Sequence, residues 1–393
     1  MSAAKKIPPL RFKGFEGAWK SYEFGGVYER INAKKYQIES SRYLNLGCFP
    51  VVDQGKDLIV AYTNDANKVF SAAESPVIVF GDHTREVKFV EFDFAIGADG
   101  TQLMRCCANF EISFAYYVMK RLTLPNMGYS RHYKFLLEAQ YLFPNLREQQ
   151  KIASAFRSLD ALIADRKSAV EKLQTLKKAM LEKMFPRAGA KVPEVRFEGF
   201  VDEWEERRLG EIGSPYNGLS GKCKSDFGHG DGRYVTYLNV FNNPVVGAEG
   251  CDRIEVDKSQ NEVCDGDVFF TTSSETPEEV GMASVWSGSG NKTYLNSFCF
   301  GYRPKSKIIT DFWAYMLRAD PFRERIVVLA QGISRYNISK GKVMDLPVFL
   351  PKGAEQKKIG AYFRSLDALI SARQEEVGKL KDLKKALLDR MFV

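Results

Sequence analysis

The chain has 393 residues, 57 Lys+Arg against 49 Asp+Glu, and a net charge of +8, enough length for two or more domains that each bury a core. Its 45% hydrophobic and 27% charged content excludes a disordered chain, a fibre or a small disulfide-stapled scaffold. No run of 18 apolar residues occurs, Met1–Leu10 lacks the apolar core of a secretory signal, and the seven cysteines (no C-x-x-C) with three scattered histidines predict free thiols in a reducing cytoplasm, with no membrane span and no metal site.

In chain order, the opening motif PPLRFKGFEGAW spans Pro8–Trp19. A body follows with β-type runs at Pro76–Phe80 and Val87–Phe94 and a helical stretch at Ile112–Arg121. Asp82-His83-Thr84 reads as a side-chain-capped turn rather than an acid/base group. Glu86-Val-Lys88 resembles the tail of a nuclease motif, a pattern short enough to arise by chance. Gly128-Tyr-Ser-Arg131 and Pro144 lead into a helix.

Residues 148–185, EQQKIASAFRSLDALIADRKSAVEKLQTLKKAMLEKMF, recur at 355–392 with 23 of 38 positions identical, an offset of 207. Ile152, Phe156, Leu159, Ile163, Val170 and Leu173, and their counterparts Ile359, Phe363, Leu366, Ile370, Val377 and Leu380, fall four and three residues apart. That is an a/d heptad seam. Arg166, Arg373, Lys177 and Lys384 interrupt it. Their stems are expected to lie across the seam with the charged heads in water, the alternative being that they fix register. A second stripe (Leu162, Leu176, Leu181, Leu369, Leu383, Leu388) fits either a further helical partner or the protein's own bodies. About 38 helical residues span ~57 Å.

The opening motif returns as PEVRFEGFVDEW at Pro193–Trp204. A second body has strand-like runs at Val268–Thr272 and Tyr294–Tyr302, helices near Asp311–Leu317 and Pro321–Leu329, and the echo Gly332-Ile-Ser-Arg335 before Pro351. The fold class is therefore α+β: two mixed bodies, residues 1–146 and 189–353, separated by helical segments 147–188 and 354–393. Antiparallel pairing of those segments as a coiled coil, with a pseudo-twofold internal repeat, avoids crowding both bodies at one end. Net charges are +3 and −3 for the bodies and +5 and +3 for the helices, so the excess sits on the helices, either as a solvated face or beside a phosphate backbone. No phosphate loop, dinucleotide fingerprint, H-E-x-x-H or amino-methyltransferase motif is present, and no catalytic residue is assigned.

The doubled E-Q-x-K-I…F-x-S-L-D-x-L-I…L-K-K segments, the R-F-x-G-F…W openings at Arg11 and Arg196, and the stretches Val77–Thr84 with Ala95–Gly100 and Gly266–Thr276 with Glu279–Gly281 resemble the specificity subunits of type I restriction–modification systems over essentially the whole chain. The resemblance implies that each variable body is a target-recognition domain reading one half of a bipartite, asymmetric site in double-stranded DNA. It implies that the helices set the spacing and dock two methyltransferase (modification) subunits, which carry S-adenosylmethionine. Restriction subunits with helicase and nuclease activity complete that complex, and the specificity subunit itself holds no cofactor and no catalysis. The competing reading is a coiled-coil adaptor that reads no DNA. The net-acidic second body departs from a uniformly basic face. Either its cations cluster or the partners supply phosphate contacts.

Base edges are read by Arg, Lys, Asn, Gln, Ser and Thr. Candidates in the first body are Lys34, Lys35, Tyr36, Arg85, Gln102 and Arg131, and in the second Lys222, Lys224, Arg233, Asn239, Ser273, Ser274, Arg335 and Tyr336. The shared Gly-x-Ser-Arg echo favours phosphate positioning or a structural turn for Arg131 and Arg335.

Overall fold

The computed structural model describes residues 6–97, 99–125, 127–128 and 130–393. Ala98, Tyr129 and the first five residues, on which parts of the reading above fall, lie outside them. The chain forms two compact units. One runs to Lys167 and adds Glu375–Val393; the other is Ser168–Gln374. Each therefore takes the head of one long helix and the tail of the other, the helices being Leu146–Lys183 and Gly353–Met391.

The first unit holds two four-stranded sheets. One has the order Tyr28–Ile31, Thr101–Cys106, Val77–Gly81, Val87–Val90, all antiparallel. The other runs Ala61–Thr63, Phe49–Val52, Phe94–Ile96, Val69–Phe70. The apolar run after Val87 divides because the Asp93 carboxylate accepts the amides of Ala72 (2.9 Å) and Ala73 (3.0 Å), turning the chain from one sheet into the other. The helix Ile112–Arg121 covers the first sheet with a face of Phe114, Tyr117 and Met119.

The second unit centres on a five-stranded sheet, Gly213–Asn217, Cys299–Pro304, Val268–Thr271, Ala283–Trp286, Val245–Val246, beside a three-stranded one, Cys251–Ile254, Phe227–Val235, Thr293–Leu295. The single strand expected over Tyr294–Tyr302 is thus two, in different sheets. Asn296 makes the break: its Nδ2 donates to the Val235 carbonyl at 3.0 Å and its Oδ1 accepts the Phe298 amide at 2.8 Å. Helices Thr310–Met316 and Asp320–Val327 pack on this sheet. Gly360 sits where the second long helix meets Thr310–Met316. A Cβ there would lie 2.7 Å from the Phe312 amide nitrogen, which explains a glycine inside a helix.

Inside each unit the two helical segments run antiparallel. In the first, Phe156 meets Phe392 (ring centroids 5.6 Å), Asp160 meets Lys384 and Arg166 meets Glu376. In the second, Val170 packs with Leu366 and Ile370, Lys177 pairs with Asp367 at 2.5 Å and Phe185 stacks on Phe363. Of the seam residues, Ile152, Phe156, Ile163, Val170, Ile359, Phe363, Leu366, Ile370 and Val377 are buried, and Leu159, Leu173 and Leu380 half-buried. The seam lysines differ from the expectation of solvated heads. Lys177 and Lys384 each bond an Asp of the facing helix while lying over a ring, Tyr315 at 5.5 Å and Tyr117 at 5.3 Å. The stem spans the seam, but a carboxylate is close enough to take the head before water does. The outer stripe divides: Leu181 and Leu388 pack on the cores, while Leu162, Leu176, Leu369 and Leu383 are exposed.

The repeat is a repeat of contacts. Trp19 lies edge-on to Phe114 (5.6 Å) as Trp204 does to Phe312 (5.9 Å). Tyr117 donates to Asp160 (2.7 Å) as Tyr315 does to Asp367 (2.8 Å). Phe392 packs on Phe114 as Phe185 packs on Phe312. Each unit's core is completed by the Met-Phe end of the helix whose head belongs to the other unit.

Candidate nucleic-acid interface

In the first unit, the end of strand Tyr28–Ile31 and the following turn face the start of Thr101–Cys106 across a cleft of about 580 Å³. Three predicted residues, Lys34, Gln102 and Arg131, line it, joined by Arg30, Asn32, Gln37, Asp99 and Thr101. Its floor is built. Gln37 Nε2 donates to Asp99 Oδ1 at 2.8 Å, Gln54 Nε2 to the Asp99 carbonyl at 2.9 Å, and the His83 amide to Gln54 Oε1 at 3.2 Å. Gly100 has φ +88°, and a Cβ there would meet Gln54 and His83 at 2.9 Å, so the turn that aims Thr101 and Gln102 needs glycine. Lys35 and Tyr36 stand aside: the Lys35 ammonium lies over the Tyr36 ring at 4.5 Å, and Tyr36 packs on Phe70. Arg85, at φ 64°, donates to the Leu124 carbonyl at 3.4 Å.

Two motif fragments are accounted for by packing. Buried Asp82 accepts the Tyr133 amide at 2.7 Å and starts a short helix. Lys88 donates to the carbonyls of Asp53 (2.8 Å) and Asp57, and burial lowers its ammonium pKa. Among the described residues no His/Cys/Asp/Glu cluster is placed to hold a metal.

In the second unit a cleft of about 410 Å³ collects Ser273, Ser274 and Arg335 with Tyr237, Leu238, Phe241, Glu275, Glu279 and Phe298. Ser273–Ser274 pairs antiparallel with Tyr336–Asn337, which brings Arg335 to the rim and holds Tyr336 by its backbone. The Tyr237 hydroxyl donates to the Ser273 carbonyl at 2.8 Å. Lys222, Lys224, Arg233 and Asn239 lie outside this lining. Lys222 pairs with Asp257 at 2.7 Å; that bond, with those from Ser259, holds the Asp257 carboxyl far below the usual carboxylate range. Lys224 is exposed on a short 3-10 turn, Arg233 reaches the Ala248 carbonyl at 3.3 Å, and Asn239 ties itself to the Gly250 carbonyl at 3.0 Å. Gly266-Asp267 is structural: Arg303 grips buried Asp267 with both Nε (2.9 Å) and Nη2 (2.7 Å), and Tyr216 donates to it at 2.7 Å.

Sequence reasoning missed Arg30, Asn32 and Gln37: Arg30 is placed by pairing with a strand some seventy residues away, and Gln37 by its bond to Asp99. It also missed Tyr237, Leu238 and Phe298, of which Leu238 and Phe298 are 65% and 59% exposed.

Residues 201–379 match the family model for the type I restriction modification DNA specificity domain. The chain is 29% identical over 115 residues to the EcoR124I/EcoR124II specificity subunit of Escherichia coli, covering 29% of this chain and 28% of that one. It is 23% identical over 277 residues to the MjaVIII specificity subunit of Methanocaldococcus jannaschii, covering 63% and 60%. The chain thus spans less than two thirds of either curated relative's length. The fold is similar to the crystal structure of the type I restriction–modification S subunit from M. genitalium (TM-score 0.60, 16% identity, 98% and 99% of the two chains). It is also similar to a chain from a study of complex assembly and conformational transition in a type I system (TM-score 0.56, 18% identity, 95% and 97%). The second half of the chain thus matches a type I restriction modification DNA specificity domain, and the fold throughout is that of solved type I S subunits.

Proposed function

We propose that this chain reads DNA: each unit's cleft reads one half of a bipartite, asymmetric site, and the chain serves as the non-catalytic recognition subunit of a type I complex in the cytoplasm. The observation that carries this reading is a conserved frame with unlike fillings. The same Trp–Phe, Tyr–Asp and Arg–Glu contacts recur in both units, while the two cleft linings share almost no chemistry. A scaffold that reads nothing gains nothing from that difference. The helices set the half-site spacing, and their exposed leucines (Leu162, Leu176, Leu369, Leu383) suit two docked methyltransferase subunits, which hold S-adenosylmethionine. Restriction subunits join that assembly.

The test is selection of duplexes from a randomised pool by the full chain across a salt series. Enrichment of a two-part motif, with affinity falling steeply as salt rises, supports the reading. Retention without sequence preference, or none at low salt, returns the adaptor reading.

A further inference from the structure

The two clefts have opposite hydrogen-bonding character. The first presents the cations Arg30, Lys34 and Arg131, and its one carboxylate, Asp99, is already held by Gln37. The second presents one cation, Arg335, and two carboxylates, Glu275 and Glu279. Glu279 accepts from Ser274 Oγ at 3.2 Å. Glu275 is exposed and has no ion pair or hydrogen bond among the described residues. It is not on a loose loop. It follows directly on Ser273–Ser274, which is paired to Tyr336–Asn337 and pinned by the Tyr237 hydroxyl, and it stands beside the exposed Leu238 and Phe298.

An unpaired carboxylate facing a polyanion is repelled unless the duplex offers it a donor. On the base edges of the major groove the donors are the exocyclic amino groups of cytosine and adenine; guanine O6 and N7 and thymine O4 are acceptors. A carboxylate therefore does two things at one position: it accepts from an amino group, and it sets lone pair against lone pair when a keto group takes that place. The apolar neighbours add a surface suited to a thymine methyl group.

From this we infer that Glu275 is a specificity-determining residue of the second unit, accepting a hydrogen bond from the amino group of a cytosine or adenine and rejecting guanine and thymine there. The inference rests on the DNA-reading function proposed above. It also gives the net acidity of the second body a use.

The full chain and its Glu275→Ala variant are each used to select from a randomised duplex pool, with thermal unfolding of both as a fold control. Wild type should demand cytosine or adenine at one position of one half-site. Alanine neither donates nor accepts, so the variant should relax that position about ten- to hundredfold, leaving the other half-site and the unfolding midpoint unchanged. Replacing that base by its amino-lacking analogue (purine for adenine, pyrimidin-2-one for cytosine) should weaken wild type by a similar factor, leave the variant nearly unaffected, and tell which base is read. An unchanged motif in the variant, or relaxation at a guanine or thymine, overturns the inference while DNA reading stands. If wild type enriches nothing, DNA reading itself falls, and the inference with it.

Discussion

Arg11 and Arg196 do the same work 185 positions apart. Each guanidinium grips a buried carboxylate at the head of a long helix: Arg11 holds Glu148 with two bonds of 2.6 Å, and Arg196 holds Glu355 at 2.7 and 2.8 Å. Breaking such a pair leaves a charge stranded in the core, so Arg196→Met should cost about 3–5 kcal/mol in denaturant unfolding. The double variant Arg196→Met with Glu355→Met should recover most of that loss, because a buried pair and an apolar substitute are nearly equal in stability. Equal losses in single and double variants would show that packing, not the stranded charge, is at stake. The thiols offer a second residue-level check. Burial pushes the Cys299 thiol up to about 12 and Cys251 up to about 11, while Cys48, Cys223 and Cys264 are exposed. The thiolate is the reactive form, so a thiol reagent near pH 8 should modify the exposed three quickly and reach Cys299 only on unfolding; rapid modification of Cys299 would contradict this burial. At this scale the candidate interface was half legible. Lys34, Gln102, Arg131, Ser273, Ser274 and Arg335 stand out as polar residues of the two bodies. Lys222 and Asn239 look the same in sequence, but Asp257 and the Gly250 carbonyl have claimed them. Availability depends on neighbours that a residue type does not name.

The long helices were the most legible elements, because a duplicated heptad seam is a local pattern sustained over many turns. The strand breaks at Asp93 and Asn296 were not, since each is made by a side chain bonding a backbone group elsewhere in the fold. The helix tails show what pattern alone conceals. Met391-Phe392 and Met184-Phe185 sit at equivalent positions, yet each fills the core of the unit that holds the other helix's head. Phe392 packs against Trp19, Phe114 and Phe156, so Phe392→Ala should cost about 3–5 kcal/mol, measured as loss of the first unit's unfolding transition with the second little changed. One difference between the copies predicts a gain. Beside Ala155, residues Leu10, Phe12, Leu159, Leu387 and Met391 leave an apolar groove of about 240 Å³. At the matching position the second unit carries Tyr362, whose ring packs edge-on to Phe197 at 5.9 Å. Ala155→Tyr should lay a ring on Phe12 in the same way and stabilise the first unit by about 1 kcal/mol. A lower unfolding midpoint would mean that the groove is shaped for something other than a ring.

At the scale of the whole molecule, the division between frame and filling determines what can be exchanged. The contacts that bind a body to the helices belong to residues that both copies share: Arg11 and Arg196, Trp19 and Trp204, Phe114 and Phe312, Tyr117 and Tyr315. The cleft linings belong to residues the copies do not share. A body from a relative that keeps an Arg, a Trp and the Phe-x-x-Tyr spacing brings its own attachment with it. Replacing residues 8–146 by such a body should therefore preserve the Trp–Phe–Phe stack and the Arg–Glu grip while replacing the whole first cleft, from Arg30 to Arg131. In a host carrying the complete system, methylome sequencing should then show one half of the methylated motif changed and the other half, which the proposal assigns to the Ser273–Arg335 cleft, unaltered. A change in both halves would mean that the units do not read independently. A change in neither would place the reading residues outside 8–146 and remove the first cleft from the interface.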